Sequence, residues 1–153
     1  MNTNTSVDFF DRQFRQQVEQ PDFQLNPFEL AALPVEAIEA DLRHHRIDED
    51  FDCVVSIGLL AFFDCATALR VLAMLQARVR PGGIAVVNVL VEGTSYLDMF
   101  QADNYCLFAR DALKSCFADW NILHSEFRDF DAPGQAIKSF ATVIAEKPVR
   151  QGP

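Results

Sequence analysis

Two adjacent histidines, His44 and His45, are the residues whose type most suggests a metal site or a general base. Neighbouring side chains point away from each other on any regular element, so the two imidazoles do not converge on one ligand. No third histidine, cysteine or carboxylate follows at the spacing that zinc sites use. We therefore expect a solvated pair of loop residues and no metal.

Four cysteines are the remaining reactive candidates, and they lie far apart without Cys-x-x-Cys spacing: Cys53, Cys65, Cys106 and Cys116. The segment Met1–Ser6 is polar and uncharged, and no apolar stretch of the signal-peptide kind follows it. This pattern predicts a cytoplasmic protein with reduced, mostly buried thiols. An alternative for Cys65 and Cys106 is a role as reactive thiols. Because no cation is fixed beside either cysteine, the favoured interpretation is that both are packed in the core like small hydrophobic residues.

Charge and length exclude several classes of function. Thirteen basic and 22 acidic residues give a net charge of −9, and no lysine or arginine cluster offsets it. Such a field repels a phosphate backbone, so we expect no nucleic-acid binding. No apolar run approaches the roughly 20 residues of a membrane span. We expect one domain over residues 1–148 and a frayed tail over 149–153.

Hydrophobic spacing predicts an alternation of helices and strands. Helices are expected over residues 6–19, 27–33, 66–79 and 111–117, the third of them capped by Asp64. Strands are expected over residues 35–40, 53–60, 84–91, 120–130 and 138–148. The runs 53–60 and 84–91 are apolar throughout, as in strands buried on both faces of a parallel sheet. Pro81-Gly82-Gly83 is expected to end the helix over 66–79 before the strand 84–91 begins. The pattern predicts an α/β fold with a parallel centre and an antiparallel edge strand.

Several segments together resemble a known family: FDCVVSIGLLAFFD, LQARVRPGGIAVVNVLVEG, SYLDMF, CLFARDAL and HSEFRDFDAPG…KSFATVIAEKP. They are similar to the class I S-adenosylmethionine-dependent methyltransferases, and in particular to the tellurite-resistance type. The resemblance implies a Rossmann-like sheet, S-adenosylmethionine as cofactor and methyl transfer to a small-molecule acceptor. It assigns no side chain here as a catalytic base.

One part of that family pattern is missing from the sequence. The superfamily binds its cofactor through a glycine-rich GxGxG loop after the first strand, where close backbone approach and a helix N-terminus receive the ligand. The six glycines of this sequence include no two that are separated by one residue. Because Leu33-Pro34 joins the first helical segment directly to the third strand of the pattern, about two βα pairs, on the order of 50 residues, are expected to be missing there.

This loss has a consequence for the sheet. In the numbering of the complete fold we expect a truncated sheet of about five strands in the order 3-4-5-7-6. The strand 53–60 would then lose its neighbours on one edge, and an exposed apolar edge pairs or aggregates. Either Val35–Ala40 pairs with it, or a second copy of the chain does, which would make a homodimer through the exposed sheet edge.

The resemblance also assigns candidate site residues. Asp41 and Leu42 match the position where an acidic side chain accepts a hydrogen bond from the adenine amino group; the alternative is an aspartate that caps a turn. Ser56, Gly58 and Leu59 match the strand end that lines the methionine and methyl group, although Gly58 is equally compatible with a simple strand-end kink.

Three aromatic residues match the substrate side of the family. Phe62 and Phe63 would face the acceptor. The favoured alternative is that both rings pack in the core and that Asp64, which follows them, is a helix N-cap. Tyr96 lies where the family places a substrate lid, or else packs a loop. The sequence thus predicts a methyltransferase homologue whose cofactor binding is impaired by the loss of the GxGxG segment; the alternative is a non-catalytic remnant that serves as a binding or oligomerisation module.

Overall fold

A computed structural model describes residue 36 and residues 38–149 of the chain. The helices predicted over 6–19 and 27–33 and the tail from residue 150 lie outside the described residues. The elements are β1 (Phe51–Ile57), α1 (Cys65–Ala77), β2 (Val79–Leu90), α2 (Ala112–Ser115), β3 (Asn121–Ala132) and β4 (Ala136–Glu146), with single 3-10 turns at Leu60–Phe62 and Pro133–Gln135.

The sheet has four strands in the order β1-β2-β4-β3. β1 and β2 are parallel, whereas β4 is antiparallel to both β2 and β3. In the numbering of the complete fold this order is 4-5-7-6. The predicted α/β class with a mixed, partly parallel sheet is therefore confirmed. The antiparallel strand is not at an edge as predicted, because β4 lies inside the sheet between β2 and β3, and the parallel pair β1 and β2 lies at one side.

The predicted fifth strand, Val35–Ala40, is wrong where the structure describes it. Residues 36 and 38–40 are irregular and exposed, with Ile38 at 65% relative exposure. Alanine and glutamate are poor strand formers, so a short alternating stretch becomes a strand only where a partner buries its apolar side. Among the described residues no segment pairs with the outer edge of β1, and the sheet has four strands rather than five.

Helix α1 covers one face of the sheet, as its sequence predicts. Asp64 caps its N-terminus, with Oδ1 accepting from the Thr67 amide at 3.0 Å and Oδ2 accepting from the Thr67 hydroxyl at 2.7 Å. At the other end the Lys147 ammonium donates to the carbonyls of Gln76 at 2.9 Å and Val79 at 2.8 Å. This lysine satisfies a carbonyl that the last turn of α1 leaves free and one at the start of β2, and it fixes both to the end of β4.

The core lies between α1 and the sheet. It contains Ala68, Val71, Leu72 and Leu75 of α1, Ala85, Val87 and Val89 of β2, and Ala141, Val143 and Ala145 of β4, together with Leu113 and Phe117. The alternation along β2 and β4 assigns every second residue to this buried face. Within the part of the chain described here, the helix over 111–117 is reduced to the four residues of α2.

Pro81-Gly82-Gly83 was predicted to end the helix and to precede the strand, but α1 already ends at Ala77 and the segment lies inside β2. Phe51 pairs with Val79 and Cys53 with Ile84, so Asp52 stands opposite the whole segment from Arg80 to Gly83. A bulge of this kind accommodates a proline that has no amide to donate. A Cβ on Gly83 would lie 2.8 Å from the Asp52 carbonyl oxygen, which explains the glycine.

The apolar run of β1 predicted burial on both faces, and this prediction is wrong for one of them. Val54 packs on the core and Ser56 is buried, but Val55 is 57% and Ile57 69% exposed on the opposite face. A continuous apolar run is typical of a central strand, but whether both faces of that strand are buried depends on which strands and helices lie beside it. Here the outer edge and one face of β1 have no cover among the described residues.

Residues 36 and 38–149 contain no helix that combines the length and the apolar character needed to cross a membrane.

Candidate functional site

The carboxyl ends of the parallel strands β1 and β2 form the centre of the candidate site. In open α/β sheets, ligands bind at this edge. The Gly58 amide donates to the Asn88 carbonyl at 3.0 Å, which continues the parallel pairing one residue beyond β1. The Asn88 side chain in turn donates to the Thr142 hydroxyl at 3.0 Å, so three strands are fixed together at this level.

Ser56 holds a buried hydroxyl without a protein partner. Its side chain is 3% exposed, and its Oγ makes no hydrogen bond with any of the residues that the structure describes. An unsatisfied buried hydroxyl costs about 1–3 kcal/mol, so native structures rarely retain one without a reason. This atom is the most unusual polar group at the end of β1.

Gly58 ends the strand in a left-handed conformation, with φ of +66°. A Cβ built there would meet nothing within 4 Å, so the space beside the backbone is open. A non-glycine residue would be strained by the positive φ alone. Leu59 and the 3-10 turn Leu60–Phe62 then lead the chain away from the sheet.

Asp41 does not follow a strand, and its carboxylate closes a turn. Both of its oxygens accept hydrogen bonds from the Arg43 side chain, at 2.7 to 3.0 Å, and Oδ1 also accepts from the Arg43 amide. These bonds lower the pKa of Asp41 from its ordinary value of 3.8 to about 2. The Asp41 carbonyl accepts from the amides of His44 and His45, while the side chain of Leu42 packs on the core.

A second apolar cluster, which we call the aromatic cluster, contains Phe62, Tyr96, Phe100 and Tyr105 around Leu90 and Met99. The Phe62 and Phe100 ring centroids lie 5.1 Å apart, and Phe100 stacks on Tyr105 at the same distance. The Lys138 ammonium lies 4.6 Å from the centroid of the Tyr96 ring. Sequence reasoning found Phe62 and Tyr96 but missed Phe100 and Tyr105, because loop residues without periodicity show no common face.

Phe63 is separated from that cluster. It packs on the main core beneath α1, next to the Asp64 cap. This is the alternative that the sequence favoured, in which Phe63 is a core residue and does not face the acceptor. Of the predicted residues, the structure thus brings together Ser56, Gly58 and Leu59 at one strand end and Phe62 with Tyr96 in the aromatic cluster. Among the described residues, the hydrogen bonds of Asp41 remain within its own turn, Asp41 to His45.

Cys65 and Cys106 form a disulfide, which corrects the prediction of four reduced thiols. Their Cα atoms lie 4.8 Å apart although 41 positions separate them in sequence. The Cys106 amide also donates to the Ala61 carbonyl at 3.0 Å, so the loop carrying the aromatic cluster is fixed to the start of α1. Cys53 is free and exposed, and Cys116 is free and half-buried, where burial raises the pKa of its thiol. Sequence spacing has no signal for a pair that only the fold brings together.

Across the residues that the structure describes, no group of three or more histidine, cysteine, aspartate or glutamate side chains is placed to hold a metal ion.

The sheet order and the strand-end site define a truncated Rossmann-like methyltransferase fold. The structure is similar to that of TehB from Haemophilus influenzae, with a TM-score of 0.59 and 19% identity, covering 71% of this chain and 39% of that one. It is also similar to the N-methyltransferase NodS from Bradyrhizobium japonicum WM9 in complex with S-adenosyl-l-homocysteine, with a TM-score of 0.52, 12% identity and coverage of 71% and 52%.

The sequence agrees with the structural likeness. The sequence model of the tellurite resistance protein TehB family matches residues 22–144, and the chain belongs to this family of class I S-adenosylmethionine-dependent methyltransferases. A curated relative, hemagglutinin 1 of Eikenella corrodens, is 30% identical over 128 residues, covering 76% of this chain and 40% of that protein. The chain therefore spans less than half the length of this relative.

Proposed function

We propose that this chain is a methyltransferase homologue that acts on a small-molecule acceptor and binds S-adenosylmethionine only weakly. The proposal rests mainly on the buried, unpartnered hydroxyl of Ser56 at the carboxyl end of β1. A polar atom of this kind beside the open space at Gly58 favours a ligand at this strand end. The methionine end of the cofactor is the part that the resemblance places there.

The described residues do not fit the adenosine end. Both carboxylate oxygens of Asp41 already accept from Arg43, so an adenine amino group would have to share this exposed carboxylate with the arginine. Within these 153 residues the glycines include no GxGxG spacing that would let a backbone approach the ligand closely. Weak binding through one end of the cofactor is what this combination supports.

The aromatic cluster supports an apolar or aromatic acceptor. Tyr96 is half-buried, and its ring lies between the cluster and the Lys138 ammonium, which gives this surface both apolar contact area and one positive charge. Methyl transfer requires alignment of nucleophile, methyl carbon and sulfur more than it requires a strong base. The absence of an assigned base is therefore compatible with this class of reaction.

The test is an NMR titration of amide resonances with S-adenosylmethionine, and with adenosine and methionine as separate ligands. We expect small, saturable shifts at Ser56, Gly58 and Leu59 with a millimolar Kd, and no shift at Asp41. Gly58→Val fills the open space and should abolish the shifts. A micromolar Kd contradicts impaired binding, whereas no shift at millimolar cofactor contradicts cofactor binding altogether.

A second candidate function, a non-catalytic binding or oligomerisation module, is favoured by the outer edge of β1. This edge is unpaired among the described residues and exposes Val55 and Ile57. The titration separates the two candidates, because a module of this kind needs no cofactor shifts. That the chain binds no nucleic acid stays a prediction from its net charge of −9.

A further inference from the structure

The sheet has two edge strands, β1 and β3, and their chemistry differs. β3 carries charged side chains along its length: Glu126, Arg128, Asp129 and Asp131. Charges on an edge are a common means of preventing further strand pairing. β1 has neither charge nor proline between Cys53 and Ile57, where its sequence is Cys-Val-Val-Ser-Ile.

The apolar side chains of β1 are exposed next to this edge, which is unpaired among residues 36 and 38–149. Phe51 is 40%, Val55 57% and Ile57 69% exposed, and these residues share one face with the exposed Cys53. Unpaired amides and carbonyls in line with an apolar stripe are a template for adding another strand. β3 has the chemistry of a strand that remains an edge, and β1 does not.

We propose that the outer edge of β1 binds a second copy of this chain, and that the two β1 strands pair antiparallel about a two-fold axis. A two-fold axis perpendicular to the sheet keeps like faces on the same side, so only residues of the same face become opposite neighbours. With the axis at Val54, Phe51 lies opposite Ile57 of the second copy. Cys53 then lies opposite Val55 of the second copy, and every pair on the exposed face is apolar.

The charges beside β1 are compatible with this arrangement. Arg78 binds Asp50 at 3.1 Å and Arg80 binds Asp52 at 2.9 Å, so the carboxylates at the start of the strand are paired within the chain. Antiparallel pairing places the two acidic segments at opposite ends of the strand pair. Parallel pairing would bring them side by side, where like charges repel.

The size of the interface sets the expected affinity. A seven-residue strand spans only about 24 Å, so the contact falls at or below the low end of specific interfaces, roughly 1,200 Å². Interfaces of that size belong to weak and transient complexes. We therefore expect a dimer with a Kd of about 1–100 μM, visible at high protein concentration.

The first test is sedimentation equilibrium of the whole chain over a range of concentrations. Val55→Lys places a charge on the exposed face of β1 and should weaken dimerisation at least tenfold without changing the circular dichroism spectrum. Leu123→Lys is the matched control, because Leu123 is 53% exposed on the other edge strand and should leave the Kd unchanged. A wild-type chain that stays monomeric at several hundred micromolar, or equal effects of the two variants, overturns the proposal.

The second test determines the register by disulfide cross-linking under mild oxidation, read on a non-reducing gel. Directly opposite residues on antiparallel strands are close enough to be bridged. All three proteins carry Cys116→Ser, which removes the other free thiol. With Val54 on the axis, Val55→Cys should cross-link to Cys53 of the second copy, whereas the otherwise wild-type chain and the Cys53→Ser/Val55→Cys variant should not. Cross-linking of either of those two overturns this register, and no cross-linking in all three overturns the interface.

Discussion

Arg43 binds both carboxylate oxygens of Asp41, with the closest nitrogen–oxygen distance at 2.7 Å. The two residues are separated by one position, and the Asp41 carboxylate also accepts from the Arg43 amide at 3.0 Å. The pair closes a turn at a position where the family resemblance expects a ligand contact. In the absence of a ligand, the Asp41 carboxylate is therefore already hydrogen-bonded to Arg43.

The Asp41 carboxyl should titrate with a pKa of about 2, against an ordinary value of 3.8, because Arg43 stabilises its ionised form. Since the folded-state pKa is lowered, the contribution of this pair to stability is complete above pH 3.8 and is lost as the pH falls toward 2. NMR titration of the Asp41 carboxyl carbon measures this pKa. Arg43→Ala should return it toward 3.8, and an unchanged value in that variant would contradict the assigned cause.

The Asp64 cap should contribute measurably to the stability of α1. Asp64→Ala removes both bonds to Thr67 and should lower Tm by roughly 2–4 °C, the usual scale for losing an N-cap in a domain of this size. Asp64→Asn keeps an acceptor and should retain most of the Tm. Asp111→Ala is the matched control, because Asp111 precedes α2 without a side-chain cap bond, and an equal loss there would argue against capping.

Gly83 should tolerate substitution less well than Gly134. Gly83→Ala places a Cβ 2.8 Å from the Asp52 carbonyl and 2.9 Å from the Arg80 carbonyl, and both are backbone atoms that side-chain rotation does not move. We expect a loss of about 1–3 kcal/mol in the free energy of unfolding, measured in urea. Gly134→Ala meets nothing within 4 Å and adds only the strain of its positive φ. If Gly134→Ala is the more damaging change, the close approach at Gly83 is not the limiting constraint.

The cysteines should divide into two classes. In native protein a thiol-specific reagent should react with two cysteines, rapidly with the exposed Cys53 and slowly with the half-buried Cys116. Reduction should release two more thiols, from Cys65 and Cys106. Cys65→Ser should lower the free energy of unfolding by about 2–4 kcal/mol, because a loop of this length is no longer closed in the unfolded chain. Cys116→Ser is the control and should cost less. Four thiols in protein never exposed to reductant would restore the prediction of a reduced, cytoplasmic chain.

Much of the fold follows from local patterns that need no tertiary information. The cap at Asp64 and the helix behind it were predictable, because helix and strand periods select the buried face of each element. The order of the strands in the sheet was expected only from the family resemblance. The family was recognisable from the same segments. The turn at Pro133–Gln135 and the strands on either side of it follow from proline and glycine in the same way.

Other features depended on neighbours that no local pattern specifies. The apolar run of β1 predicted burial on both faces, but burial depends on the elements that lie beside a strand, and here its outer edge is unpaired among the described residues. Val35–Ala40 alternates like a strand and forms none in its described residues, since pairing requires a partner as well as a pattern.

What the sequence alone determined is therefore the type of most elements between β1 and β4 and the chemistry of each residue. The tertiary structure decided which distant residues meet: Cys65 with Cys106, Lys147 with the end of α1, and Phe100 with Phe62 and Tyr105. The physical reason is that periodicity and capping act over a few residues, whereas these contacts close loops of tens of residues and depend on how the whole chain packs.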